Sequence, residues 1–406
     1  MSMLAAEDSI TRPLMIPLDL PAPAPEAQAH SDRLRALIHA EIARSGGAIP
    51  FSRYMELALY APGLGYYSAG ATKFGAAGDF ITAPELGGLF AACVAEATAP
   101  VLRRYRGAGC FFELGGGSGA FAMQALPALA ARDALPAEYR ILEPSADLRE
   151  RQRQRLEAEL PSEMFARLRW LDRLPEDDWV GVLFANEVLD ALPASRFVLR
   201  AGEVMEQHVE RADGGFRFCE RPADMLTGGA VRHVERSLGR GFGEGYTSEL
   251  LPQLPYWLDA VCASLAEGLA LFVDYGYPRS EFYLPERSDG TLLCHYRHRV
   301  HADPFHLPGL TDITASVDFT ALAEAGQHAG FELAGYCSQA AFLLNNGLQQ
   351  HVEAGATDVI RQQRLALESK RLILPSEMGE RFQVIGLSRD VDCEAQFAFG
   401  DLSHRL

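Results

Sequence analysis

Positive charge is in short supply in this chain: Lys and Arg number 37 against 54 Asp and Glu, a formal net charge of −17. That mean field repels a phosphate backbone, so nonspecific nucleic-acid binding is not expected. An acidic surface tolerates a cationic substrate, or simply keeps the protein soluble. Paired cysteine spacing is also missing. Cys93, Cys110, Cys219, Cys262, Cys294, Cys337 and Cys393 are scattered and never form C-x-x-C, which suggests neither a disulfide framework nor a thiolate zinc site and fits a reducing, cytoplasmic setting. The best apolar run, Leu89 to Leu102, is interrupted by Glu96 and is too short for a membrane span. Residues 1–30 lack a basic n-region and an Arg-rich amphipathic helix; with Pro21, Pro23 and Pro25 among alanines, they are expected to form a flexible leader. No internal repeat is visible.

What is present is ordinary for a soluble globular chain: 406 residues, 48% hydrophobic and 22% charged, enough for a large core. Ser31 resembles an N-cap, followed by Leu34, Leu37, Ile38 and Ile42 on one helical face until Gly46 and Gly47 stop it. A second helix is expected from Ser52 to Tyr60, and a third carries Leu89, Phe90, Cys93, Val94, Val101 and Leu102. Residues 31–109 are thus expected to form a helical lid.

From Cys110 onward the pattern alternates between strand and helix, which requires parallel strands joined by crossover helices. Strands are expected at Cys110–Leu114, Tyr139–Leu142, Leu168–Leu171, Val180–Ala185, Leu269–Val273, Glu332–Tyr336 and Phe382–Leu387. Helices are expected at Ala120–Ala131, Ala146–Glu159, Trp257–Glu267 and Val317–Ala329, with Gly268 and Gly330 as C-terminal glycines. The fold class is therefore α/β, a Rossmann-like seven-stranded core over residues 110–390. Insertions interrupt it at about 193–255, 276–314 and 339–379, the last helical, and residues 391–406 form a tail. Additions of that length are more often binding or lid elements than idle connections.

The central chemical signal is Glu113-Leu114-Gly115-Gly116-Gly117-Ser118-Gly119, directly after an apolar strand and directly before a helix. Glycines here let the backbone approach a ligand where a Cβ would collide, although a plain tight turn has the same composition. The spacing is not the G-x-G-x-x-G of a dinucleotide site, so the ligand is expected to lack a pyrophosphate. Glu143 closes the second strand where such folds present a carboxylate to ribose hydroxyls, and Asp172 closes the third, within reach of an adenine amino group. Either acid alone reads equally as a solvated loop residue; at successive strand ends beside the glycine loop, they point to a ligand. The fourth strand ends in Asn186-Glu187-Val188-Leu189-Asp190-Ala191-Leu192-Pro193, a polar pair that either caps a helix or faces a reacting group, or does both.

These segments resemble the MidA-like S-adenosylmethionine (SAM)-dependent methyltransferases, which include a mitochondrial respiratory complex I assembly factor that methylates arginine. The resemblance runs from about Gly47 to Leu387. It rests on MELALYAPGLGYY in Phe51–Tyr67, GDFITAPE at Gly78–Glu85, the loop Glu113–Gly119, NEVLDALP at Asn186–Pro193, VDYG at Val273–Gly276, and GTLLCHYRHR with PGLTDITASVDF in Gly290–Phe319. Gly116, Gly87 and Ser316 depart from the family pattern, which usually has Pro or Ala, Ser or Thr, and His there; the additional glycine is expected to loosen the loop.

The resemblance implies SAM as methyl donor, S-adenosylhomocysteine (SAH) as product, and an exposed arginine of a protein as acceptor. Glu113, Gly115, Gly116, Gly117, Gly119, Glu143, Asp172, Asn186, Asp79 and Thr82 are the expected cofactor residues. Protonated guanidinium has no available lone pair and a pKa above 12, so carboxylates must hold it; Glu187 is the first candidate and Asp190 the second. No metal is expected: His295, His298, His301 and His306 lie near Asp303 and Asp312, but Pro304 and Pro308 make that stretch a loop. Two alternatives remain. One is a methyltransferase of a small molecule or RNA, favoured by a basic rim from Arg232, Arg236 and Arg240; the other is a SAM-binding assembly chaperone with little catalysis. Oligomeric state is left open.

Overall fold

The computed structural model describes residues 20–69 and 82–406. Seven strands make its central sheet: β1 (Cys110–Leu114), β2 (Glu138–Leu142), β3 (Leu168–Leu171), β4 (Trp179–Asn186), β5 (Leu265–Tyr277), β6 (Glu332–Ser338) and β7 (Phe382–Arg389). They lie in the order β6-β7-β5-β4-β1-β2-β3, and the two-residue strand Val317–Asp318 adds alongside the end of β5. β1 to β5 are mutually parallel, while β7 runs antiparallel between β5 and β6. The inner strands are buried along their length, β1 at every position. Helices cover both faces, and that is why these strands read as continuous apolar runs. Leu89–Arg104 and Ala120–Ala130 pack on one face, Leu254–Cys262 and Phe319–His328 on the other.

Two smaller sheets come from the insertions. Antiparallel strands Ala48–Pro50, Glu203–Ala212, Ser195–Arg200 and Thr247–Leu250 form one, with Gly215–Pro222 paired to Glu203–Ala212. Helices Pro25–Arg44 and Phe51–Tyr60 share a core with it through Leu34, Ile38, Phe51, Tyr54 and Val209. The other is the three-stranded sheet of Leu293–Tyr296, Arg299–His301 and Asp312–Thr314. Helices Gln339–Asn345, Leu348–Gly355 and Val359–Ile373 fill the third insertion, as its composition suggests.

Several boundaries differ from the sequence expectation. The first helix starts at Pro25, where a missing N–H costs nothing at N1, so Ser31 is a buried interior position and not the N-cap. Leu89–Arg104 belongs to the layer on the central sheet, not to a lid, because its apolar face meets Phe121, Phe184 and Leu271 in one core. Gly268 lies inside β5 and not after a helix: the preceding helix already ends at Cys262. A Cβ on Gly268 would stand 1.9 Å from the Gly181 carbonyl oxygen of β4, so close strand approach requires the glycine. The tail expected at residues 391–406 packs against the central sheet. Val391, Cys393 and Phe397 are buried in the core, and the Leu402 amide donates to the Tyr336 carbonyl of β6.

Candidate functional site

Open parallel sheets bind ligands beyond the carboxyl ends of the strands, where the strand order reverses. Here that crevice lies between β1 and β4, whose chain neighbours lead off in opposite directions. A cavity of about 890 Å³ occupies it, lined from below by Glu113 in β1 and Gly115–Gly117 after it, Glu143 after β2, and Asn186 and Glu187 at the end of β4. The N-terminal region covers it with Tyr60, Tyr67, Thr82 and Glu85; the three-stranded sheet contributes His295, Asp312 and Thr314.

The glycine loop is shaped by its backbone. Gly115 and Gly117 have φ of 67° and 53°, the left-handed region that side chains with a Cβ avoid. Gly116 has ordinary φ, but a Cβ there would stand 2.8 Å from Ile141 Cγ2. The additional glycine therefore fits a crowded spot. Gly119, φ 80°, starts the Ala120–Ala130 helix and does not line the cavity. Gln152 ties the parts together, donating from Nε2 to the Gly117 carbonyl at 2.9 Å and to Glu143 Oε2 at 3.4 Å, while its Oε1 accepts from Trp170 Nε1.

Glu143 is buried and accepts the Ser145 amide at 3.0 Å; burial nevertheless pushes its pKa up to about 7. Glu113 is likewise pushed to about 7 by burial, against a hydrogen bond donated by Tyr139 at 2.8 Å. Asp172 goes elsewhere. Its side chain is 86% exposed, pairs with Arg149 and is absent from the cavity wall, because the strand before it points it outward. The adenine-contact role expected of it has no geometric support. Thr82 lines the cavity, whereas Asp79 lies outside the described residues.

No helix follows Asn186, which removes the capping alternative: residues 187–194 form an irregular loop. Asp274 of β5 shapes it. Its Oδ2 accepts the amides of Val188, Leu189 and Asp190 at 3.2, 2.9 and 3.2 Å, and its Oδ1 that of Tyr275 at 2.9 Å. The Glu187 amide donates to the Val273 carbonyl, and Glu187 has φ 53°, a costly conformation for a residue with a Cβ. This bend turns the side chain onto the cavity wall, where Asn186 Nδ2 donates to Glu187 Oε1 at 3.1 Å. Burial, then Asp190 and Asp312 nearby, push the Glu187 pKa up to about 8. Burial pushes both Asp190 and Asp274 up, and the nearby Asp190 and Glu187 push Asp274 further.

Three contributors escaped the sequence-level argument: Tyr60, Tyr67 and the organising role of Asp274. Tyr60 and Tyr67 stack with centroids 5.5 Å apart, Tyr60 donating to the Ala191 carbonyl and Tyr67 to both Asp312 oxygens at 3.0 and 3.2 Å. No periodicity reveals a pairing between residues 245 positions apart. His301 and His306 meet edge to face, and among the described residues no His/Cys/Asp/Glu group is arranged to hold a metal ion. Arg232 is engaged by Glu235, Arg240 by the Tyr283 carbonyl, and neither these nor Arg236 lines the cavity.

The cavity's donor set fits SAM: positive-φ glycines for close approach, a buried carboxylate suited to a diol, and volume for a nucleoside with an amino-acid arm. Known proteins agree. A protein from Burkholderia thailandensis, solved with S-adenosyl-homocysteine bound, is 45% identical, with TM-score 0.88 over 95% of this chain and 100% of that one. The mitochondrial "Protein arginine methyltransferase NDUFAF7 homolog" of Drosophila melanogaster is 26% identical, covering 91% of this chain and 88% of its own length. The Danio rerio protein arginine methyltransferase NDUFAF7 is 27% identical, over 83% and 82%. The family model described as "Putative S-adenosyl-L-methionine-dependent methyltransferase" matches residues 93–337. The chain belongs to that family, and it is a SAM-dependent methyltransferase.

Proposed function

We propose that the methyl acceptor is a guanidinium nitrogen of a protein arginine. The observation that carries this reading is the acidic wall facing the glycine loop: Glu187, Asp190 and Asp312 line one cavity, in which Arg381 is the one arginine among the described lining residues. A planar cation with a fork of donors satisfies such a wall and draws its carboxyls into their ionised form; a neutral small molecule offers them no countercharge. The arginine-methyltransferase names of the Drosophila and zebrafish relatives support the same acceptor. Among the described residues, Arg232, Arg236 and Arg240 stay off the cavity lining, which argues against an RNA acceptor.

Bound SAM supplies an electrophilic methyl group on a sulfonium. The chain's residues do the rest. Gly115–Gly117, Glu143 and Thr82 hold the cofactor; Glu187 and Asp190 orient the guanidinium and receive the proton lost as the N–methyl bond forms and the sulfonium S–methyl bond breaks. Glu187, protonated near neutral pH when alone, ionises as the cation arrives. Seven unpaired cysteines, all but Cys219 buried, support a reducing compartment such as the cytoplasm.

The test is incubation with methyl-labelled SAM and lysate from a strain lacking the protein, followed by hydrolysis of the labelled protein to amino acids. Label in methylarginine is expected. Label in methyl-lysine, in RNA or in small molecules would overturn the arginine acceptor.

A further inference from the structure

Behind the loop that carries Glu187 lies a second cavity of about 720 Å³, bounded by helices Met225–Leu238, Leu254–Cys262 and Phe319–His328. The two cavities share a wall: Leu192 and Ser316 line both. The loop is two-sided. Glu187 and Asp190 face the catalytic cavity, Leu189 the second one and Leu192 both, and the Ala315 amide clips the loop by donating to the Asp190 carbonyl at 2.9 Å.

The second cavity is apolar within and acidic around. Leu226, Ala230, Val234 and Phe282 line it, while Glu249, Asp259, Asp318 and Glu324 supply four carboxylates. Among the described lining residues Arg279 is the one guanidinium, 3.2 Å from Asp318 and 2.6 Å from Glu324, and Glu249 pairs with Arg196 at 2.9 Å, so four carboxylates meet two guanidinium partners and the lining stays net acidic. Tyr256 lines it while remaining 65% exposed, and Met225, beside Leu226, is 94% exposed. Neither an anionic ligand nor a nucleic acid suits that charge; an apolar segment carrying positive charge does.

We propose that this cavity is the docking groove for the acceptor protein, taking apolar side chains a few residues from the arginine that enters the catalytic cavity. The proposal rests on the arginine reading. Its physical basis is continuity across Leu192 and Ser316 with the site of chemistry, and complementarity between a cationic, apolar segment and an acidic, apolar groove. Binding energy collected there, away from the reacting nitrogen, anchors the acceptor and braces the loop presenting Glu187.

Two end-blocked synthetic peptides test it, each with one central arginine: one flanked by glycine and serine, the other with leucines three to six positions from the arginine. Calorimetry on SAH-loaded protein reads binding, and labelled SAM reads methyl transfer. The leucine peptide is expected to bind at least about tenfold tighter. Ala230→Trp, at a partly exposed helix position, fills the groove and should erase that preference with SAH affinity unchanged; Tyr256→Ser, at an exposed position, should reduce it severalfold. Equal binding of the two peptides, or no binding of either, overturns the groove, as does a preference that persists in both variants. A leucine peptide that binds with the expected preference yet takes no methyl group leaves the groove standing and overturns the arginine acceptor instead.

Discussion

At the scale of single residues the site is an arrangement of carboxylates kept from solvent. Glu113, Glu143 and Glu187 hold their protons to about pH 7, 7 and 8 in the fold, against 4.5 in an unfolded chain. Between those limits the folded state binds more protons than the unfolded one, so stability falls as pH rises. Thermal melting of the ligand-free protein is therefore expected to drop steadily from about pH 5 to pH 8, and Glu187→Gln should flatten the upper part of that decline. An identical slope in the variant would mean that Glu187 titrates normally. Glu143→Ala should weaken SAH binding by about 1–3 kcal/mol, the worth of charged hydrogen bonds, with melting little changed. A large loss of stability with normal SAH affinity would make Glu143 a structural group.

At the scale of elements, the loop 187–194 gathers three of its amides on one carboxylate, Asp274. Asp274→Asn keeps an acceptor oxygen for the three loop amides but turns an NH₂ group toward the Tyr275 amide, a donor facing a donor. It is expected to cost about 1–3 kcal/mol of stability and to lower methyl transfer more than SAH affinity, measurable by denaturant unfolding beside calorimetry. Unchanged stability would show that the loop holds itself. The seven strands of the central sheet were legible in sequence because each carries a short apolar run, and β1 and β3 end where expected. The antiparallel hairpin Glu203–Ala212 and Gly215–Pro222 was not. Its exposed face is built of cross-strand pairs such as Arg217 with Glu210, and such charged alternation resembles a polar insertion until the partner strand is known. The site divides in the same way. Gly115–Gly117, Glu143 and Glu187 sit directly at strand ends and could be read from spacing. Tyr67 with Asp312, and Asp274 with the loop, depend on contacts between distant segments, and Asp172 misled because a strand end does not specify which way its side chain points.

At the scale of the whole molecule, the catalytic cavity is closed by parts of the chain far apart in sequence: N-terminal Tyr60 and Tyr67, strand ends of the central sheet, and Arg381 and Phe382 at the start of β7. The C-terminal segment locks the sheet edge beyond β7. Phe397 packs over Gly335 and Gly386, where added Cβ atoms would meet its ring or Cβ at 2.3 to 2.6 Å. Phe397→Ala is expected to cost about 3–5 kcal/mol in denaturant unfolding, while the folded variant retains normal SAH affinity because the change lies outside the cavity. A negligible cost would show residues 391–406 to be an appendage after all.

The division of labour between cofactor and acceptor residues is tested most directly by Glu187→Gln, which keeps the side chain's shape while removing its charge and one acceptor oxygen. SAH affinity is measured by calorimetry and methyl transfer with labelled SAM on the same preparation. The expected result is near-normal SAH affinity with methyl transfer reduced by about two orders of magnitude or more, the signature of a contact made to the acceptor and not to the cofactor. Wild-type methyl transfer by the variant, or loss of SAH binding in step with activity, would contradict the assignment of Glu187 to the acceptor.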